Sequence, residues 1–444
     1  MQTIRNTDQY KLTMARAGYP LREEVFYYSH RKGNVYIPPR FDLEAWVRDQ
    51  LPVSDNSLSG EPLLESAILD SDFQVIWNPE IEVYAPRDPI FAVRGNSALV
   101  SWLEPTILRL NRRLQIYTIL HEQGVEALQR VASIATCQQE KDLTLEAMSD
   151  MGVNPFPIEV RLEAYFEDVR NRAINLIRLV DGDADRIFEV GMRATSCTQQ
   201  HNVALSACKA AGIMATSNVL EAHKLSMRAV GTMGHEHIQR FGSSYNAFTT
   251  MRDRTQGYVS YLLDTYNTCV EGIPAAIRTI QESPARRQGI RFDSEYGIEQ
   301  QYRFAVDACR QAGVKPDFIL ESGWNDVLTA RFEEIRKELG IPADRQMYGI
   351  GGYLVKPLWD HLSRDGVSAV YKLCSTNGRP TMKFGDEPGK GKESLPGIPY
   401  LFQPGQIGQF GETNPHIESN GNSSITNKMI WDLVQDREHY LGNI

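Results

Sequence analysis

The sequence predicts an α/β protein: an irregular (β/α)8-type barrel joined to a second α/β domain formed from the N- and C-terminal segments. Three observations carry that prediction. Between Asp185 and Cys374 short apolar runs recur eight times, each ending in glycine or polar residues. Stretches of helical period separate most of them, as parallel strands require crossover connections that are usually helices. On either side the rhythm is lost, and 444 residues exceed one ordinary core.

Taken in order, residues 1 to about 100 mix short apolar segments with Pro- and Asp-rich loops. Tyr36 to Arg40 and Asn78 to Val93 read as extended or looped pieces, because proline removes ladder donors. From Trp102 to about Ala135 the period is helical, with Leu103, Ile107, Leu110 and Leu114 on one face. Arg109, Arg112 and Arg113 read as a solvated face of that helix. Residues 136 to 185 read as helical with a break at Asn154 to Pro157. The eight barrel runs then end at Arg193, Asn218, His235, Thr265, Ser294, Gly323, Gly352 and Cys374. Helices are predicted at Gln199 to Ala211, Ile273 to Glu282, Gly297 to Ala312 and Asn325 to Leu339. This span is compact against the roughly 250 residues usual for the fold, so the barrel is expected to be irregular or incompletely closed. Phe384 to Pro399 and Phe402 to Glu412 read as loops, Glu418 to Ser424 as mobile, and Asn427 to His439 as a final helix. The expected division is a barrel over 131–375 and a second domain from 1–130 and 376–444.

Composition narrows the function. A net charge of −9 argues against a nucleic-acid or anionic-membrane partner, while leaving room for a local basic pocket. The six cysteines, Cys137, Cys197, Cys208, Cys269, Cys309 and Cys374, are scattered, which suggests reduced thiols. The N-terminus has no apolar signal region and no apolar run reaches ~18 residues, so a cytoplasmic protein is expected.

In a β/α barrel the chemistry comes from the carboxyl ends of the strands. Those ends offer Arg193, Thr216, Ser217, Thr232, His235, Asp264, Arg291, Asp293, Ser322, Gly351, Gly352 and Lys372. Two guanidiniums, a lysine and paired glycines suit an anion such as phosphate. A histidine and two aspartates remain for proton or metal chemistry. Each has a bland reading too: the arginines pair with Asp293 or Glu189 in a structural network, or the glycines form a tight turn. His235-Glu236-His237 has the form of a metal pair, but later strands supply no further histidine, so no zinc site is expected.

Thr7 to Met14 (TDQYKLTM) resembles the opening motif of nicotinate phosphoribosyltransferases. So do Ala215 to Val219 (ATSNV), Gly231 to Glu236 (GTMGHE), Leu262 to Thr268 (LLDTYNT) and Val370 to Leu373 (VYKL). Trp102 to Asn111 and Lys390 to Gly397 are similar to further family segments, and all run in family order. The resemblance implies a type II phosphoribosyltransferase of NAD salvage. It would join nicotinate to C1 of 5-phosphoribosyl 1-diphosphate, with Mg2+ on the diphosphate and ATP as co-substrate through a phosphohistidine. It implies that His235 is the phosphorylated residue and that Arg291 and Thr232 hold nicotinate. Tyr10 would stack on the ring from a second subunit, making a homodimer. Gly351 and Gly352 would take the 5-phosphate, Arg193 and Asp293 the ribose and diphosphate; Thr216, Ser322 and Lys372 are further candidates. Relatives that use nicotinamide carry Asp where this chain has Ser217, so a neutral serine favours nicotinate.

The chain departs from the family pattern at several points. Val190 stands where an aromatic would stack, Ala194 replaces an arginine, and Glu295-Tyr296 replace a Gly-Asp pair. These departures leave two other readings open: transfer to nicotinamide or another base, and a catalytically silent nucleotide-binding relative.

Overall fold

The computed structural model describes residues 2–17, 21–294, 297–357, 359, 361–386 and 393–411. The predicted helix Asn427 to His439, the segment Glu418 to Ser424, Glu295-Tyr296 and Lys390 to Lys392 lie outside them.

The chain first lays down most of an antiparallel sheet. Its strands are β1 (Glu23–His30), β2 (Phe73–Ile76) and β3 (Phe91–Asn96). Along β1, Phe26 and Tyr28 face a large core, while Val25 and Tyr27 face a smaller one, the two-residue alternation of a strand buried on both sides. Helix α1 (Gln9–Arg16) precedes this sheet but docks on the barrel: Tyr10, Met14 and Ala17 belong to the barrel core.

Seven parallel strands follow: β4 (Ile187–Glu189), β5 (Ala215–Thr216), β6 (Arg228–Ala229), β7 (Val259–Leu262), β8 (Gln288–Phe292), β9 (Asp317–Leu320) and β10 (Gln346–Ile350). Their order in the sheet is β6-β5-β4-β10-β9-β8-β7. The sheet curls but β6 and β7 do not pair, so the barrel has an open seam; there Thr232 Oγ1 donates to the Ser260 carbonyl at 2.8 Å. Helices at Thr198–Ala211, Ile273–Gln281, Ile298–Gln311 and Asp326–Glu338 match the four predicted ones to within a residue or two at each end.

Four expectations need correction. The eighth apolar run is a strand, β11 (Ala369–Thr376), but it pairs antiparallel with β1, not with the barrel. Ala369, Tyr371 and Leu373 fill the N-terminal core opposite Phe26 and Tyr28, and a short apolar run does not encode which sheet it joins. The core also changes hands near residue 160, not 131: Met148, Phe156 and Ile158 pack with the N-terminal sheet, and Tyr165 opens the barrel core. Arg112 is buried and ion-paired with Glu140 at 2.8 Å, because its helix packs against Gln138–Asp150 instead of facing water. Finally, Pro399–Gln403 and Gln406–Gln409 form a hairpin where a loop was expected, turned at Gly405 with φ +78°.

Candidate active site

The N-terminal segment is stitched to the barrel mouth beside β5. Gln9 N–H donates to the Ser217 carbonyl at 2.7 Å and Val219 N–H to the Thr7 carbonyl at 3.1 Å. This places Asp8, Tyr10 and Lys11 over the carboxyl ends of the strands. The Gly-Thr-Met-Gly turn must pass close beneath them. A Cβ at Gly231 would lie 2.8 Å from Tyr10 N, where φ is also +147°, and one at Gly234 would lie 2.9 Å from the Tyr10 ring.

Glu189 ends β4, fully buried, and organises the turn after it. Asn218 donates to His201 Nδ1 (2.9 Å), which leaves Nε2–H of that ring to donate to Glu189 Oε1 at 3.0 Å. Thr216 Oγ1 donates to Glu189 Oε2 at 2.6 Å, and Gly191 N–H donates to Oε1. The turn so held carries Arg193 outward. Its guanidinium meets Glu104 at 3.1 Å and Asp8 at 3.6 Å, and sits 5.6 Å from the Tyr10 ring centre. Lys11 stands between Glu104 and Glu236, 2.5 Å from each. Burial raises both carboxyls, but Lys11, joined by Arg193 at Glu104 and by Arg240 at Glu236, outweighs it, and both stay ionised well below the usual range.

His235 opens a helix (His235–Phe241) at the same mouth. Nδ1 lies 3.0 Å from Thr265 Oγ1; Nε2 lies 2.9 Å from Lys383 Nζ and 3.4 Å from Asp293 Oδ2. Lys383 also bonds Asp264 Oδ2 at 2.7 Å. Burial, reinforced by Lys383, pushes His235 down to about 4, so the ring is neutral. An ammonium donates to Nε2, so the lone pair is on that nitrogen and Nδ1–H faces Thr265. Burial raises Asp293, and the Lys383 and Arg291 cations beside it pull it the other way. Asp264 Oδ1 has no hydrogen-bond donor among the described residues. With His235 and Asp293 it forms a set whose ligand atoms lie within 4.8 Å of one another.

One cavity joins these groups. Asp8, Tyr10, Glu104, Arg193, Ser217, Lys372, Phe188, Val190, His235, Arg291, Asp293 and Glu321 line it. A larger cavity of about 750 Å³ lies behind it at the seam and shares Phe188, Val230, Gly231, Arg291 and Glu321. Burial lowers Lys372 to about 8, with Glu104 opposing. Burial raises the Glu321 carboxyl, with Arg291 opposing.

Of the residues predicted for the site, seven meet here: Tyr10, Arg193, Ser217, His235, Arg291, Asp293 and Lys372. Lys372 arrives from the antiparallel sheet and not from a barrel strand. Tyr10 lines the cavity of its own chain, with its hydroxyl donating to Glu104 at 2.7 Å. Thr216 is spent on Glu189, behind the wall. Thr232 lines the rear cavity, where its hydroxyl is held by Ser260. Ser322, at φ +70°, is not among the lining residues. Gly351 backs onto Val190, and the Asp365 carboxylate occupies the place a Cβ on Gly352 would take, so the glycine pair stands behind the pocket wall. Ser217 is not in neutral surroundings: its hydroxyl donates to Asp8 at 2.6 Å.

Several residues at the site escaped the sequence reading. Asp8 and Lys11 lie inside the TDQYKLTM motif and Glu104 inside Trp102 to Asn111, so a signal existed. Phe188 lines the cavity two residues before Val190, and the two-residue alternation of an extended chain puts both on one face, so a signal existed there too. Lys383 lies in a late segment read as loop and carried no signal.

A parallel α/β barrel with a companion antiparallel sheet and a cation-bearing mouth around a buried histidine is the class of protein defined so far. No family model matches the chain. A nicotinate phosphoribosyltransferase of Bacillus subtilis (strain 168) is 36% identical over 85 residues, which span 19% of this chain and 17% of that relative. The fold is that of solved nicotinate phosphoribosyltransferases. The Porphyromonas gingivalis structure has a TM-score of 0.59 at 19% identity, covering 89% of this chain and 96% of its own. A putative one from Saccharomyces cerevisiae has 0.59 at 15%, covering 88% and 94%. That of Vibrio cholerae has 0.55 at 14%, covering 99% and 97%. No helix of the described residues is long and apolar enough to cross a membrane.

Proposed function

We propose that the chain is a phosphoribosyltransferase of the nicotinate phosphoribosyltransferase kind, acting in pyridine-nucleotide salvage. The ring nitrogen of nicotinate, or of a close pyridine relative, attacks C1 of 5-phosphoribosyl 1-diphosphate; the C1–O bond breaks and diphosphate leaves. The observation that carries this reading is the neutral His235, with Nε2 between Lys383 and Asp293 in one cavity with Arg193 and Arg291. The 85-residue likeness to a named enzyme and the shared fold support it.

The chain's part in such a displacement is positioning and charge. Tyr10 and Phe188 supply flat apolar walls for the base, while Arg193 and Lys372 offset charge on the phosphorylated sugar. Asp264 and Asp293 fit a hard divalent cation, since the buried Oδ1 of Asp264 lacks a donor; they would hold Mg2+, which offsets charge on the leaving diphosphate. With ATP as co-substrate, the Nε2 lone pair of His235 would attack the γ-phosphorus and ADP would leave. Lys383, already at Nε2, would then face the transferred phosphoryl oxygens. A homodimer is part of the proposal.

The test is turnover of radiolabelled nicotinate and nicotinamide with phosphoribosyl diphosphate and Mg2+, with and without ATP. Mononucleotide is expected, with ATP stimulation lost in His235→Ala. No mononucleotide from either base under any condition refutes the proposal.

A further inference from the structure

The arginine that the family resemblance assigns to the carboxylate of nicotinate is already partly engaged and its charge partly offset. Arg291 Nη2 donates to the Met233 carbonyl at 2.5 Å, and Nε lies 3.7 Å from Glu321 Oε2. Glu321 is the first residue beyond β9, and the fold makes space for it. A Cβ on Gly349 of β10 would lie 2.5 Å from Glu321 Cγ, so only glycine there leaves this side chain its place. Arg291 and Glu321 stand together where the mouth cavity meets the rear one.

The unsatisfied atoms of this pocket define a complement. Arg291 Nε is a buried donor with no hydrogen-bond acceptor among the described residues. Asp8 Oδ2, in the lining of the same pocket, is a buried acceptor with no hydrogen-bond donor among the described residues; Arg193 Nε stands off at 3.6 Å. Glu321 adds a second acceptor. An incoming carboxylate brings only acceptors, and it meets an arginine already offset by Glu321 in a pocket that Asp8 also lines. Like charges in one pocket disfavour it. A carboxamide instead brings one acceptor for the Arg291 Nε–H and an NH2 group for a carboxylate oxygen.

We propose that Glu321 sets the base specificity of this site, making it a site for neutral pyridine bases that carry a carboxamide, of which nicotinamide is the simplest. Transfer to such a base rests on the reaction proposed above; the binding preference does not. Ser217, taken by itself, points to an acid, but Glu321 and Asp8 set two acidic side chains in the lining of the assembled pocket.

The experiment titrates the full chain with nicotinamide and with nicotinate at pH 7.5 by calorimetry, for wild type, Glu321→Gln and Glu321→Ala. Wild type is expected to bind nicotinamide at least about tenfold more tightly, the scale on which an unmatched polar group in a site is penalised. Glu321→Ala is expected to shift the ratio at least about tenfold towards nicotinate, chiefly by tightening nicotinate. Glu321→Gln keeps the side-chain volume and removes the charge, so it too should shift the ratio the same way. The inference is overturned if wild type binds nicotinate more tightly, if neither base binds, or if both folded variants keep the wild-type ratio. Turnover with phosphoribosyl diphosphate is run alongside. A nicotinamide preference without any mononucleotide refutes the reaction and leaves the specificity standing.

Discussion

Replacing Lys11 by methionine tests the charge arrangement on which the mouth is built. Its ammonium is 2.5 Å from Glu104 and from Glu236, and all three residues are at most 7% exposed. Methionine keeps most of the volume but leaves two buried carboxylates without their shared cation. Glu104 retains Arg193 at 3.1 Å and the Tyr10 hydroxyl at 2.7 Å, whereas Glu236 retains the Ser101 hydroxyl at 3.3 Å. Removing one member of a buried ionic cluster costs about 3–5 kcal/mol, and we expect that loss at neutral pH. The sign of Glu236's contribution to the pH dependence should also invert. In wild type the Glu236 carboxyl is held low, so its contribution is present at neutral pH and lost as pH falls through the folded value. Without Lys11, burial dominates and its folded value rises above the unfolded one, so the deficit of Lys11→Met relative to wild type should shrink as pH falls from 7 towards 5. The assay is urea unfolding followed by circular dichroism at several pH values. Lys11→Met with Glu236→Gln should recover most of the loss, because no uncompensated charge then remains at that end. A cost below about 1 kcal/mol for the single variant, or a double variant no better than it, would show that Lys11 is not the cation holding these carboxylates.

Burial holds His235 at about 4 and His30 and His237 each at about 3, so the unfolded chain binds more protons below about 6.5. Stability should therefore fall as pH drops from about 6.5 to 4, by up to about 1.4 kcal/mol per pH unit per group, and His237→Gln should flatten the slope in the same unfolding assay. Lys372, lowered to about 8, loses its charge above that pH; KM for phosphoribosyl diphosphate should rise there, and Lys372→Arg should remove the rise. An unaltered alkaline limb in that variant would exclude Lys372 as its source. Gly272→Ala would place a Cβ 2.2 Å from the Leu263 carbonyl oxygen, next to Asp264, and should cost about 1–3 kcal/mol in thermal unfolding. Gly352→Ala meets only the tip of the half-exposed Asp365 side chain and should cost less than about 0.5 kcal/mol.

The sequence alone determined the barrel strands and their helices, because hydrophobic period and glycine punctuation act within a dozen residues. The runs ending near Asn218, Ser294 and Gly323 became β5, β8 and β9, with the four predicted helices nearly to the residue. It also determined which residue types stand at the strand ends, since a strand carries its polar terminus wherever it goes. Tertiary structure alone decided which sheet each strand joined and what faced each charge. Ala369–Thr376 reads like a barrel strand but completes the sheet of β1, because its partner lies more than three hundred residues away. Arg291 reads as an anion reader until Glu321 stands beside it, and Ser217 reads as neutral until Asp8 accepts its proton bond. Local pattern reports what a side chain is; only the packed chain sets the dielectric and the neighbours that decide what it binds.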